Sequence, residues 1–374
     1  MVFMLLFSSA VFAADKLAWT IDTKKMNLPK TMVVTKEAVI DPGYKIQFTP
    51  DNKVLVSFWE RRPQTELTSK NTPEKSGTVF VVLLLAIENG ELIKRIEWPV
   101  LGESLPGQQI GYGSRIYPLP SGGYVGIINR HLQVLDSSFN VIHDRALERN
   151  VNIGYGLITP LRGQCFIIEI RGNDSLSAEI IDSKTFKTIE QINLEWTSTV
   201  RMIKDIWENR LLATIYHRDI NKRFFFEKKI GDSQWNDFGW AYEFFSNANF
   251  IYNGTIIVAG YVEPSPDSKG VWVAIDGGKR SDPVFDVIGG FSPSSNAQIV
   301  ANKSSHMSDF RRALDLNNSH SIRVYDLDSH RILFETKKYS DLLDYAISPN
   351  GDSIVLMTKK KIELYKVPAP GAKK

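Results

Sequence analysis

The sequence predicts an all-β fold closed into a seven-bladed β-propeller of four-stranded antiparallel blades, and three observations predict it. Helical periodicity is nearly absent, whereas short runs of Val, Ile, Phe and Tyr recur between clusters of Gly, Pro, Asn and Asp, the signature of strands and turns. These runs repeat with a spacing of 46 to 50 residues, in the range of propeller blades. Nothing in the sequence supplies helices to cover the sheets, so both faces of each sheet are buried most simply by packing blade against blade around an axis.

The repeat is carried by two signals. In the first, an apolar run ends on an acidic turn residue and another apolar run follows: Ala86-Ile87-Glu88 before Ile93, Val134-Leu135-Asp136 before Val141, and Ile180-Ile181-Asp182 before Ile189. It returns at Ala274-Ile275-Asp276 before Val284 and at Val324-Tyr325-Asp326 before Ile332, with a degenerate copy around Ile230-Gly231-Asp232. The second signal is a Pro or Asn turn leading into an apolar strand, from Phe48-Thr49-Pro50-Asp51 before Val54 to Ile347-Ser348-Pro349-Asn350-Gly351 before Ile354, seven times in all. Each marks a hairpin. The last unit has about three strands of its own, so a strand from the N-terminal stretch, Met32-Val33-Val34 or Val39-Ile40, is expected to complete it and leave no free edge.

Residues 1–13 read as a secretory signal: an uncharged apolar run from Val2 to Phe12 is followed by small residues and then by Asp15 and Lys16. The run lacks a basic leader and is shorter than the roughly 18 residues of a membrane-spanning helix. The expected organisation is therefore a signal at 1–13, an extension at 14–31, one propeller domain over 32–367 and a polar tail at 368–374. The expected location is secreted or periplasmic.

Composition narrows the partner class. Of 374 residues, 45 are Lys or Arg and 42 Asp or Glu, a net charge of +3 that gives no bulk attraction for nucleic acid. The single Cys165 excludes an intrachain disulfide and lies in the apolar strand Cys165-Phe166-Ile167-Ile168, where a packed thiol is the expected role. A monomer is expected.

Ser348-Pro349-Asn350-Gly351-Asp352 and Ile322-Arg323-Val324-Tyr325-Asp326-Leu327 resemble blades of WD-repeat and quinoprotein-like bacterial propellers. The first is similar to their inner hairpin turn; the second is similar to their third strand, with Tyr325-Asp326 where those families carry Trp-Asp. No blade has a Gly-His pair, and the Trp-Asp dipeptide is missing. The resemblance implies the fold, which hosts binding scaffolds and enzymes alike.

Candidate binding residues follow from placing the chain on this fold. Long connections between second and third strands, at 61–77, 263–270 and 302–320, rise from one face, where binding is commonly built. Second strands end in cations: Arg61 and Arg62, Arg130, Arg171, Arg218, and Lys359 to Lys361. A rim of this kind suits an anionic partner, since Arg presents forked donors to carboxylate or phosphate, although charged hairpin tips also serve solubility. Tyr44, Tyr112, Arg115, Tyr155, Arg201 and Tyr345 precede or begin inner strands at the channel mouth, as contacts or as plugs of the core. No spacing of the six His residues suggests a metal site. Asp205, Asn249 and Asp344 are the candidate oxygen ligands for a metal, calcium by resemblance to lactonase-like propellers. The expected function is a binding module for a protein or other macromolecule, with no cofactor. The alternative is a channel-site enzyme, either a calcium-dependent lactonase-like hydrolase or a quinone-linked dehydrogenase.

Overall fold

The computed structural model describes residues 16–28, 33–34, 39–40, 44–61, 75–101, 114–147, 157–159, 162–171, 176–194, 199–217, 222–242, 244–261, 270–276, 279–286, 291–305 and 319–370. They form seven four-stranded antiparallel sheets arranged as propeller blades, with one separate two-stranded ribbon. Blade 1 comprises Lys45–Phe48, Val54–Arg61, Lys75–Leu85 and Leu92–Leu101; blade 2 comprises Arg115–Pro118, Tyr124–Ile128, His131–Leu135 and Val141–Ala146. Blade 3 is Leu157–Ile158, Cys165–Arg171, Leu176–Asp182 and Thr188–Asn193, and blade 4 is Thr199–Trp207, Arg210–His217, Lys222–Lys229 and Asn236–Tyr242. Blade 5 is Phe244–Phe250, Ile256–Tyr261, Gly270–Asp276 and Lys279–Asp286; blade 6 is Phe291–Pro293, Ile299–Ser305, His320–Asp326 and Arg331–Glu335. Blade 7 takes Leu342–Ile347, Ser353–Thr358 and Lys361–Lys366 from the C-terminal end and Leu17–Asp22 from the N-terminal end. No helix among the described residues is long and apolar enough to cross a membrane.

The closing strand differs from the expected one. Leu17–Asp22 lies antiparallel to the third strand of blade 7, Leu17 opposite Tyr365 and Asp22 opposite Lys361. Val33–Val34 and Val39–Ile40 pair with each other instead. A strand that begins at Leu17 belongs to the ring, so the propeller starts upstream of the expected boundary at residue 32.

Burial follows the radial arrangement. Second strands are covered on both faces, and Tyr124–Ile128 and Ser353–Thr358 are buried at every position, which explains why they read as unbroken apolar runs. Fourth strands, such as Val141–Ala146, lie largely in solvent. The apolar clusters sit between blades rather than within them: Val56, Phe58 and Leu83 of blade 1 pack with Trp19, Met357 and Leu364 of blade 7. Leu55 and Trp59 of blade 1 pack with Ile116 and Tyr124 of blade 2. Blade-to-blade packing is therefore the core.

The turns are built by the residues that marked them in sequence. Ser348 Oγ donates to Asp352 Oδ1 at 2.8 Å and accepts the Ser353 N–H at 3.0 Å, and Thr49 Oγ1 accepts the Lys53 N–H at 2.9 Å in the equivalent turn of blade 1. Asp136 accepts the N–H groups of Ser138 and Asn140, and Asp182 those of Lys184 and Thr185. Gly351 is required in its turn: its φ is +72°, and a Cβ there would stand 2.7 Å from Ile299 Cδ1 in blade 6. Gly351→Ala combines left-handed strain with a steric clash, so urea unfolding is expected to show a loss of about 2–4 kcal/mol.

Candidate functional site

Antiparallel order sorts the connections between the two ends of the ring. First-to-second and third-to-fourth turns lie at one end and are short, as at Thr49–Lys53 and Asp136–Asn140. Second-to-third and blade-to-blade connections lie at the other end, where the chain leaves the described strands after Arg61, Leu101, Tyr261 and Ser305. That second end is the candidate binding face. Arg61 and Arg171 are the last residues of their strands there, opposite Thr78 and Leu176. Arg130 occupies the tight turn between Ile128 and His131 with φ +64°, and Lys359 and Lys360 form an exposed turn in blade 7. The structure thus brings cations of four blades to one end. Arg62 and Arg218 lie outside the described residues, as do Tyr112 and Tyr155.

The first strands line the axis, since neighbouring blades meet there through their first strands. Arg115 begins the first strand of blade 2 opposite Ile127, and Arg201 lies in that of blade 4 opposite Ile215. Tyr44 packs its ring on Phe58 at 5.4 Å, and Tyr345 turns its hydroxyl toward the Ala301 carbonyl, 3.5 Å away. Burial pushes the Tyr345 phenol up to about 12. Both tyrosines close the apolar layer between blades.

Asp205 and Asn249 do meet, but as a fastening between blades 4 and 5. Asp205 is 5% exposed. Its Oδ2 accepts the Phe250 N–H at 2.8 Å and the Asn249 side-chain amide at 3.1 Å, while Oδ1 accepts the Ile206 N–H at 2.8 Å. Burial raises its carboxyl to about 7, with those three hydrogen bonds opposing the shift. Asn249 Oδ1 is buried without a hydrogen-bond partner. Asp344 is not part of this group. It lies in blade 7, where its Oδ2 accepts the Ile46 N–H of blade 1 at 2.9 Å and faces Lys45 Nζ at 3.4 Å.

The two aspartates share a construction. Each immediately follows a register shift of the innermost strand, at Ile203/Asp205 and at Leu342/Asp344. A bulge re-aims the side chain that follows it, here toward a backbone N–H of the next blade's first strand. Both carboxyl oxygens of Asp205 and Oδ2 of Asp344 are therefore engaged by N–H donors, whereas Asn249 Oδ1 is not, and no group of three His, Cys, Asp or Glu among the described residues could hold a metal ion.

Burial also shifts ionisable groups on the second strands. Burial pulls the Lys303 ammonium below its usual range against the pull of Asp344, and raises the Glu169 carboxyl against that of Lys204. Cys165 is half-buried and burial raises its thiol, which makes it a poor nucleophile. Sequence reasoning missed the buried trio at the blade 6–7 junction, where Tyr339 Oη donates to Glu363 Oε2 at 2.7 Å and lies 2.7 Å from Tyr365 Oη. Its only sequence signal is Glu363 between Ile362 and Leu364 in the strand Lys361–Lys366, and Glu363 Oε1 also faces Lys337 Nζ at 3.8 Å.

No family model matches the sequence, and no curated protein matches it. Solved structures match at the level of the fold. The WD40 domain of Neurospora crassa Pan2 superposes with a TM-score of 0.53 and 8% identity over 94% of this chain and 95% of that one. An oligogalacturonate lyase solved in complex with manganese gives 0.54 and 11% identity over 91% and 97%. The Pyrococcus horikoshii acylaminoacyl peptidase gives 0.55 and 10% identity over 84% of this chain and 48% of that chain, so the match spans about half of the peptidase. Identities this low show a shared propeller architecture and nothing of its use.

Proposed function

We propose that the protein is an exported β-propeller, secreted or periplasmic, that binds an anionic protein or other macromolecule on the end of the ring carrying the long connections. One observation carries this reading: the strand order gathers second-strand cations and every long connection at that end, while the opposite end is closed by short capped turns. The WD40 neighbour is consistent with a role in protein binding. The channel-site enzyme is less favoured because Asp205 and Asp344 are engaged in joining blades. Export rests on the apolar run at residues 2–12.

The test uses a ten-residue poly-glutamate peptide as a probe of the cationic face. Fluorescence anisotropy is expected to show salt-sensitive binding that weakens at least tenfold in a Lys359→Glu/Lys360→Glu variant, because opposite charges become like charges. The two lysines are exposed turn residues, so the variant keeps its fold. Undiminished binding by the variant, or no binding by the parent chain, overturns the reading.

A further inference from the structure

We propose that Lys303 is a nucleophilic amine, placed at the junction of blades 6, 7 and 1, that captures a small oxo acid as a reversible imine. Asp344 moves the protons, and Lys45 receives the carboxylate of the ligand. The site goes beyond the anionic-macromolecule reading and does not rest on it.

Three blades meet at this point. The second strand of blade 6, Ile299–Ser305, touches the first strand of blade 7, Leu342–Ile347, which in turn lies against the first strand of blade 1, Lys45–Phe48. Tyr345 fixes the blade 6 side, where its hydroxyl meets the backbone of Ala301 and of Lys303. Its chain neighbour Asp344 fixes the blade 1 side through the Ile46 N–H and Lys45 Nζ. One carboxylate thus serves two lysines, and its charge is the one that acts on Lys303.

Lys303 is the member of this cluster that a structural role does not explain. Its side chain is only partly exposed, yet among the described residues its ammonium makes no hydrogen bond and no ion pair. A lysine kept for solubility carries its head into water, and a buried one is ordinarily paired. Here burial disfavours the ammonium and enlarges the share of free amine. Desolvation of this kind is how proteins turn lysine into a nucleophile. Asp344 supplies the second element. Its Oδ2 is taken by Ile46 and Lys45, while Oδ1 has no hydrogen bond among the described residues and the side chain is 16% exposed.

The step needs no co-reactant. Asp344 Oδ1 takes one proton from the Lys303 ammonium, and the free amine attacks the carbonyl carbon while the carbonyl π pair moves to oxygen. A second proton passes from nitrogen to that oxygen, which gives a carbinolamine. The nitrogen lone pair then forms the C=N bond as the hydroxyl takes the proton held by Asp344 and leaves as water. The iminium keeps the charge of the ammonium, and the Asp344 carboxylate is restored. Lys45, exposed on the far side of Asp344, pairs with the carboxylate of the ligand, so an aldehyde or ketone that carries a carboxylate is the class that fits.

The test treats the full chain at pH 7 with glyoxylate and cyanoborohydride, which reduces the imine, and reads each lysine by peptide mass spectrometry. Lys303 is expected to be carboxymethylated about tenfold faster, or more, than the exposed Lys359 and Lys360, which are almost wholly protonated at that pH. Asp344→Asn keeps an acceptor for the Ile46 N–H and removes the charge that favours the Lys303 ammonium. A purely electrostatic role for Asp344 would therefore speed labelling of Lys303 in this variant, whereas proton transfer slows it by about tenfold. Lys45→Gln is expected to slow labelling of Lys303 by glyoxylate and not by acetaldehyde, which has no carboxylate. Labelling of Lys303 no faster than that of Lys359 and Lys360 in the parent chain overturns the proposal whatever the variants do. Faster labelling in Asp344→Asn overturns the role of Asp344, and equal effects of Lys45→Gln on both aldehydes overturn the oxo acid as the ligand class.

Discussion

Asp205→Ala is expected to lower the unfolding free energy by about 3–4 kcal/mol, measured by urea denaturation at pH 6, because truncation strands buried donors that have no route to water. The carboxylate receives two backbone N–H groups and one side-chain amide, and it joins the innermost strands of blades 4 and 5. Asp344→Ala removes the same kind of fastening between blades 7 and 1, but its side chain is 16% exposed and water can replace part of the bond. A loss of about 1–2 kcal/mol is expected there.

Asp205 also sets a pH dependence whose sign follows from its environment. Burial raises the carboxyl to about 7 in the fold, compared with 3.8 for an ordinary aspartate. The folded state therefore holds a proton that the unfolded chain releases, and this contribution to stability is fully present below about pH 4 and is lost as pH rises through about 7. Between pH 5 and pH 8 the expected loss from this group is about 2–3 kcal/mol. Asp205→Asn cannot titrate and keeps an acceptor for the Phe250 N–H, while its amide NH2 replaces the oxygen that accepts the Ile206 N–H. The stability difference between the parent and the Asn variant should therefore move in favour of the variant from pH 5 to pH 8. An unchanged difference would mean that the carboxylate stays ionised throughout.

The same aspartates show where sequence reading stops. Hairpins are legible because turn chemistry is local: Ser348, Asp136 and Asp182 bond to N–H groups two to five residues away, and those residues mark a turn in any context. A propeller is legible because second strands buried on both faces read as apolar runs. The role of Asp205 and Asp344 was not, since it depends on the extra residues Lys204 and Leu343, whose bulges turn each carboxylate toward the next blade. Polar residues on inner strands looked like ligands because a sequence shows the type of a side chain before its partner. The bulges of the fourth strands in blades 1 and 2 had a readable trace in the doubled aliphatics Leu92-Ile93 and Val141-Ile142, which break period-two alternation just after the acidic turn. On the binding face, the cations were legible as strand-end residues, whereas their grouping required the strand order.

Ring closure is the other feature that sequence misplaced, and it carries the second large effect. Trp19→Ala is expected to cost about 3–5 kcal/mol, in line with removal of a buried aromatic from a packed core. The indole is 9% exposed, packs in the layer shared by blades 7 and 1, and donates to the Ile87 carbonyl. Trp19→Phe keeps most of the apolar contact and loses the hydrogen bond, so about 1 kcal/mol should suffice to describe it. The closing strand pairs residues more than 300 positions apart, with Leu17 opposite Tyr365, so no local pattern could announce it over the more apolar Val33–Val34. Its loss should be felt along one edge first. Without Leu17–Asp22, blade 7 keeps three strands and presents Lys361–Lys366, four of whose residues are buried, as an open edge. Hydrogen exchange on Trp19→Ala should then show the amides of Leu17–Asp22 opening well below the global unfolding free energy, with those of Ser353–Thr358 still exchanging only on global unfolding. Uniform loss of protection in every blade would mean instead that closure is inseparable from the fold of the whole ring.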